Sequence, residues 1–92
     1  MKSILQTEHK CYVCGTTINL HKHHVFGAAN RKLSEEYGLT IELCAKHHNM
    51  SDAGIHFDKE LDSFVKRYAQ TRFENVHGTR EDFMRIFGKN YL

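Results

Sequence analysis

Three cysteines and one histidine stand in two pairs, Cys11-x-x-Cys14 and Cys44-x-x-His47, with 29 residues between the pairs. Two ligands three apart can grip one ion from a single turn, and a tetrahedral zinc site needs four such ligands. A closed set of three thiolates and one imidazole leaves no open position, so the ion it implies is a structural zinc. Three cysteines cannot pair completely as disulfides, whereas zinc uses all of them. A lone C-x-x-C can also be a redox pair, but no thioredoxin-like βαβ pattern surrounds this one. His48 adjoins His47 and is an alternative fourth ligand.

The length explains why a staple matters. A chain of 92 residues makes one small domain with little core to spare. Zinc binding can add roughly 10 kcal/mol or more to folding. With 40% apolar and 26% charged residues, the composition is that of an ordinary globular protein and argues against disorder. No apolar run approaches the length of a membrane span, and the first ten residues lack the apolar stretch of a secretory signal. A cytoplasmic protein is expected, in keeping with metal-bound rather than disulfide-bonded cysteines. Net charge is +2, with the excess of basic groups in residues 1–32. That imbalance suits a polyanionic partner and equally suits ordinary charge scatter.

The pattern predicts a single α+β domain over 1–92, without linker, repeat or proline. Residues 16–26 read as a strand or hairpin arm, 30–37 as a short helix, and 39–43 as a second strand. A helix is expected to open at Cys44 and to be interrupted over 51–54. Beyond 57, Phe57, Leu61, Phe64, Val65, Tyr68, Ala69 and Phe73 recur at helical spacing and read as a core face, with Asp58 as N-cap and Gly78 just past the end. Thr79 and Asp82 form a capping box for a last helix, Arg80–Phe87, with Phe83, Ile86 and Phe87 inward.

Histidine is the over-represented residue: there are eight, and six fall between His21 and His56. On a strand, alternation sends His21 and His23 to one face and Lys22 and His24 to the other. One face can then hold a metal ligand and the other a general base, since a neutral imidazole can take a proton from water near neutral pH. From the residues alone, a solvent-exposed, histidine-rich hairpin is an equal alternative.

Cys11-x-x-Cys14, His23-His24-Val25-Phe26 and Leu43-Cys44-x-x-His47-His48-Asn49 together resemble the HNH endonucleases, and more narrowly the small phage and prophage HNH-type proteins. The resemblance covers about residues 11–56. It implies a ββα-metal (His-Me finger) core stapled by zinc, with the C-terminal helices as added scaffold. By position it implies His24 as general base, with His23 and His48 as ligands of a catalytic divalent ion and His56 as an additional ligand. Where the family usually places an asparagine, this chain has Leu39; Asn30 is the candidate substitute.

What the resemblance implies is a metal-dependent endonuclease that nicks DNA with weak sequence preference, RNA remaining an alternative substrate. Lys22, Arg31 and Lys32 are candidate phosphate contacts. An imidazole-rich site favours Mn²⁺, Ni²⁺ or Zn²⁺ over Mg²⁺. A homodimer, or a larger phage or recombination partner, is compatible with so small a nuclease. The competing expectation is a zinc-stabilised module that binds nucleic acid or protein without cutting, and needs only the structural ion.

Overall fold

The computed structural model describes residues 1–50 and 54–92. Two antiparallel strands, β1 (Leu20–His24) and β2 (Thr40–Cys44), pair in a register that sets Leu20 opposite Cys44 and His24 opposite Thr40. Helix α1 (Arg31–Tyr37) fills the connection between them. A single π-type turn, Lys46–Met50, follows β2, and two helices complete the chain: α2 (Lys59–Val76) and α3 (Arg80–Phe87). The fold is α+β, as the sequence predicts.

β1 is shorter than the 16–26 arm expected. Asn19 takes a positive φ of 54° just before it, and Ile18 stays in solvent. Val25 and Phe26 leave the ladder and enter the core. α1 ends at Gly38, whose φ is 73°. A side chain there would collide with the backbone of Lys2, which passes against it. The π-type turn replaces the helix expected from Cys44, and most of the predicted break over 51–54 lies outside the described residues.

Both C-terminal helices start as their caps predict. The Asp58 carboxylate accepts from Leu61 N at 3.0 Å, and Thr79 and Asp82 close a reciprocal capping box. α2 fully buries Val65, Ala69 and Phe73 of the expected face, with the polar Gln70 beside them, and Leu61 and Tyr68 pack partly buried against the core. Phe57 and Phe64 are 65% and 54% exposed, and are not core. Phe57 precedes the helix, and Phe64 is turned roughly 100° from Val65 by the 3.6-residue period. The core joins β2 to α2 and α3 through Leu39, Ile41 and Leu43 and through an aromatic group of Phe26, Phe73, Phe83 and Phe87.

Candidate metal centres

The first cluster sits where the N-terminal knuckle meets the end of β2. Gly15 N donates to Cys11 O at 2.8 Å and closes the knuckle, with Gly15 at a φ of 78° that favours glycine. Tyr12 N donates to Glu42 O at 2.8 Å and ties the knuckle to β2. Cys44 is the last residue of that strand and His47 lies on the following turn.

Donor atoms of Cys11, Cys14, Cys44 and His47 all lie within 4.8 Å of one another. The Cys14 and Cys44 sulfurs are 3.8 Å apart, and His47 Nδ1 is 3.3 Å from Cys44 Sγ and 3.8 Å from Cys11 Sγ. A tetrahedron with zinc–sulfur bonds near 2.3 Å has sulfur–sulfur edges of about 3.8 Å and sulfur–nitrogen edges of about 3.6 Å. The cluster therefore has the dimensions of a zinc site. Of the two adjacent histidines, His47 faces the sulfurs.

Electrostatics fit the same ion. Burial works to raise the Cys11 thiol, but the backbone groups of Cys14, Cys44 and Val13 outweigh it and bring the pKa down to about 6. At Cys14 the Thr16 backbone lowers the pKa, and burial together with the other two cysteines reverses this and raises it. Crowded thiolates oppose one another, and a divalent cation among them removes that cost.

The second cluster begins on β1. Alternation holds as expected: His21 and His23 face the imidazole of His48, while His24 faces α1. His23 is 6% exposed, and its Nε2 is buried without a hydrogen-bond partner. His48 stands on the turn beside His47 and points about a quarter-turn away from the sulfurs. Ile55 N donates to His47 O at 2.8 Å and His56 N to His48 O at 3.5 Å, which folds the next segment back and brings His56 in. The three rings pack with centroids 5.5, 5.5 and 4.9 Å apart.

Donor nitrogens of His23, His48 and His56 lie within 4.8 Å of one another. The His48 and His56 Nε2 atoms are 3.3 Å apart, close to the edge of about 3.3 Å between two nitrogens on a tetrahedral ion. Burial, then the His48 and His56 rings, push His23 down to about 4. Burial, then His56 and His21, also lower His48. Neutral imidazoles are the metal-binding form. An unpartnered buried polar nitrogen costs about 1–3 kcal/mol, which ligation would remove. Both clusters suit a divalent metal ion: one closed and sulfur-rich, one open and nitrogen-only.

His21 does not join the second set. Its Nδ1 is 3.1 Å from His48 Nδ1, so it holds the outer nitrogen of His48 while Nε2 of that ring faces His56. A cleft of about 240 Å³ opens beside the cluster, bordered by His23, His24, His56, Lys59, Asp62 and Lys66. His24 ends β1, so the cleft wraps round the strand's end and meets residues of both faces. A larger hollow of about 420 Å³ lies against Lys22, Thr40, Glu42 and the N-terminal segment, and holds neither cluster.

His24 is in contact with Glu35 of α1, Nε2 to Oε2 at 3.0 Å, and Lys22 Nζ meets Oε1 of the same carboxylate at 3.0 Å. Lys22 is thus engaged in an ion pair, whereas Arg31 and Lys32 are exposed at the start of α1. Asn30 is not brought to the imidazoles. Its amide donates to Phe87 O at 3.1 Å and ties the start of α1 to the end of α3. Leu39, at the asparagine position of the resemblance, is fully buried core. Sequence reasoning missed Glu35, Lys59, Asp62 and Lys66. Only the helical spacing of the last three, on one side of α2, was there to signal them.

No family model, curated protein or solved structure matches the chain. The structure defines a small ββα-metal core with a zinc-stapling cluster, consistent with the His-Me finger (HNH) superfamily fold. Among the described residues, no helix is long and apolar enough to cross a membrane.

Proposed function

We propose that the protein is a metal-dependent endonuclease that hydrolyses phosphodiester bonds in DNA. One observation carries this: the buried, unpartnered Nε2 of His23 meets His48 and His56 beside a cleft that also admits His24. Cys11, Cys14, Cys44 and His47 hold the structural zinc. His23, His48 and His56 would hold a second divalent ion, Mn²⁺, Ni²⁺, Zn²⁺ or, less suited to nitrogen donors, Mg²⁺. When bound, that ion supplies Lewis-acid stabilisation of charge on the phosphate and the departing oxygen. His24 accepts the proton of the attacking water. Lys59 borders the cleft and attracts the phosphodiester, beside Lys66, which is paired with Asp62 at 2.9 Å. Arg31 and Lys32 supply further backbone contacts without sequence preference.

Relaxation of supercoiled plasmid tests the proposal, with EDTA, Mg²⁺ or Mn²⁺, beside His24→Ala and His23→Ala. The expected result is nicking at least as fast with Mn²⁺ as with Mg²⁺, lost in both folded variants. DNA binding should weaken steeply with added salt. No nicking under any metal, by a folded protein carrying zinc, refutes the nuclease. The buried leucine at position 39 favours one second reading, a zinc-stabilised binding module. That module would bind a single ion per chain, where the nuclease binds two.

A further inference from the structure

Glu35 is held on both sides of its carboxylate. Oε2 lies 3.0 Å from His24 Nε2, and Oε1 lies 3.0 Å from Lys22 Nζ. Lys22 and His24 are two apart on β1, so one carboxylate from α1 bridges two neighbours on a single strand face. The helix that carries it is fixed as well. Buried Ser34, the residue before, donates to Phe26 O at 2.7 Å and accepts from Phe26 N at 3.1 Å. Lys22, then His24, keep the Glu35 carboxyl below its ordinary pKa, so it is an anion at neutral pH.

A carboxylate only accepts hydrogen bonds, so the proton in this contact sits on His24 Nε2. In a neutral imidazole the lone pair is then on Nδ1. Among the described residues Nδ1 has no hydrogen-bond partner, and the ring, 14% exposed, borders the cleft beside the three imidazoles. We propose that Glu35 is a positioning residue: it fixes the His24 ring by Nε2 and so makes Nδ1 the atom that takes the proton from water. This rests on His24 being the base of the proposed nuclease. In the step, the water O–H bond breaks and its proton moves to Nδ1. Its oxygen forms the new bond to phosphorus as the P–O bond to the departing sugar oxygen breaks, and that oxygen leaves with the electron pair and takes a proton from solvent. The carboxylate balances the positive charge that the ring gains, and Lys22 holds the carboxylate in place.

Two measurements test it, on zinc-loaded protein with Glu35→Ala and Glu35→Gln. The first is the imidazole N–H signal of His24 in ¹⁵N NMR. The wild type should show a slowly exchanging, downfield Nε2–H; Glu35→Ala should lose it. Glu35→Gln, whose amide oxygen still accepts, should keep it at a less downfield position. The second is plasmid nicking with Mn²⁺. Glu35→Ala should lower kcat by at least about 10-fold, within the roughly 10²–10⁴-fold that a positioned general base contributes, without raising KM. Glu35→Gln should recover part of it. A wild type without a protected Nε2–H, or Glu35→Ala nicking at the wild-type kcat, overturns the proposal while leaving the nuclease standing. A wild type that never nicks refutes the nuclease and with it the base role, even where the N–H signal shows the contact. If Glu35→Ala does not fold, Glu35→Gln decides: loss of its Nε2–H overturns the proposal.

Discussion

Cys11→Ala removes one corner of the sulfur-rich cluster, a residue that is itself 1% exposed and that helps tie the knuckle to β2. The magnitude follows from what the rest of the fold can supply. Among the described residues the one sheet has two five-residue strands, a unit that is marginal without support. Domains of this size have net stabilities of about 5–15 kcal/mol, and a structural zinc contributes about 10–16 kcal/mol at neutral pH. Removing a ligand therefore takes away as much as the whole fold retains. A loss of only about 5 kcal/mol would still lower Tm by roughly 20–40 °C in a domain this short. The assay is far-UV circular dichroism against temperature, for wild type and Cys11→Ala, with zinc counted by a colorimetric chelator. Wild type should carry zinc in the sulfur site and melt cooperatively; the variant should be unfolded or nearly so at room temperature. Two outcomes would refute the reasoning: a zinc-free wild type of unchanged Tm, or a variant that melts within a few degrees of wild type.

His21→Ala should weaken the ion at the second cluster about 10–100-fold while leaving the sulfur-bound zinc in place, because it frees the outer nitrogen of His48; calorimetric metal titration reads this, and an unchanged affinity rejects it. Phe83→Ala deletes a ring with no exposed surface, packed 4.7 Å from Phe87 and 5.3 Å from Phe73 between centroids. It should cost about 3–5 kcal/mol in urea unfolding, and a cost under about 1 kcal/mol would mean the aromatic group is not the core. His23 is held at about 4 by burial first and then by His48 and His56. Its unfolded value is near 6.5, so the unfolded chain binds the proton first. Stability from this group is full above about pH 6.5 and is lost as pH falls towards 4, by up to about 3 kcal/mol. Protein without an ion in the histidine cluster should show that loss against His23→Leu, and parallel pH profiles would contradict it.

Much of the fold and site is legible in the sequence where spacing alone fixes geometry. The Cys-x-x-Cys and Cys-x-x-His pairs lead to one cluster, and the two-residue period of a strand is enough to separate His21 and His23 from Lys22 and His24 along LHKHH. The caps at Asp58 and Thr79 are equally readable, because a cap is a bond within one turn. Contacts across the chain are not. Asn30 reads as a site residue until its amide is seen to bond a carbonyl 57 residues away. Glu35 looks like any acid on a helix until α1 is docked on β1. Phe57 and Phe64 fit a helical period, yet α2 begins only at Lys59, after Phe57, and Phe64 is turned away from the stripe that α2 buries.

His47 and His48 are neighbours on one turn, and each serves a different cluster. The placement of the second cluster consequently depends on the first. His23 is set by β1, whose register runs to Cys44 through its pairing with Leu20. His48 follows that cysteine by one turn, and His56 is held by the carbonyl of His48. Each of the three imidazoles is thus referred to the end of β2, which a zinc in the sulfur-rich cluster would anchor. The reverse dependence does not follow, since among the described residues no contact of Cys11, Cys14, Cys44 or His47 runs to the His23 or His56 side chain. Metal binding should therefore be asymmetric. His48→Ala should keep one zinc and lose the second ion, whereas Cys44→Ala should lose both. Mass spectrometry under native conditions counts the ions directly. A Cys44→Ala protein that still binds an ion at His23, His48 and His56 would show that the histidine cluster assembles without the staple, and would refute this order of dependence.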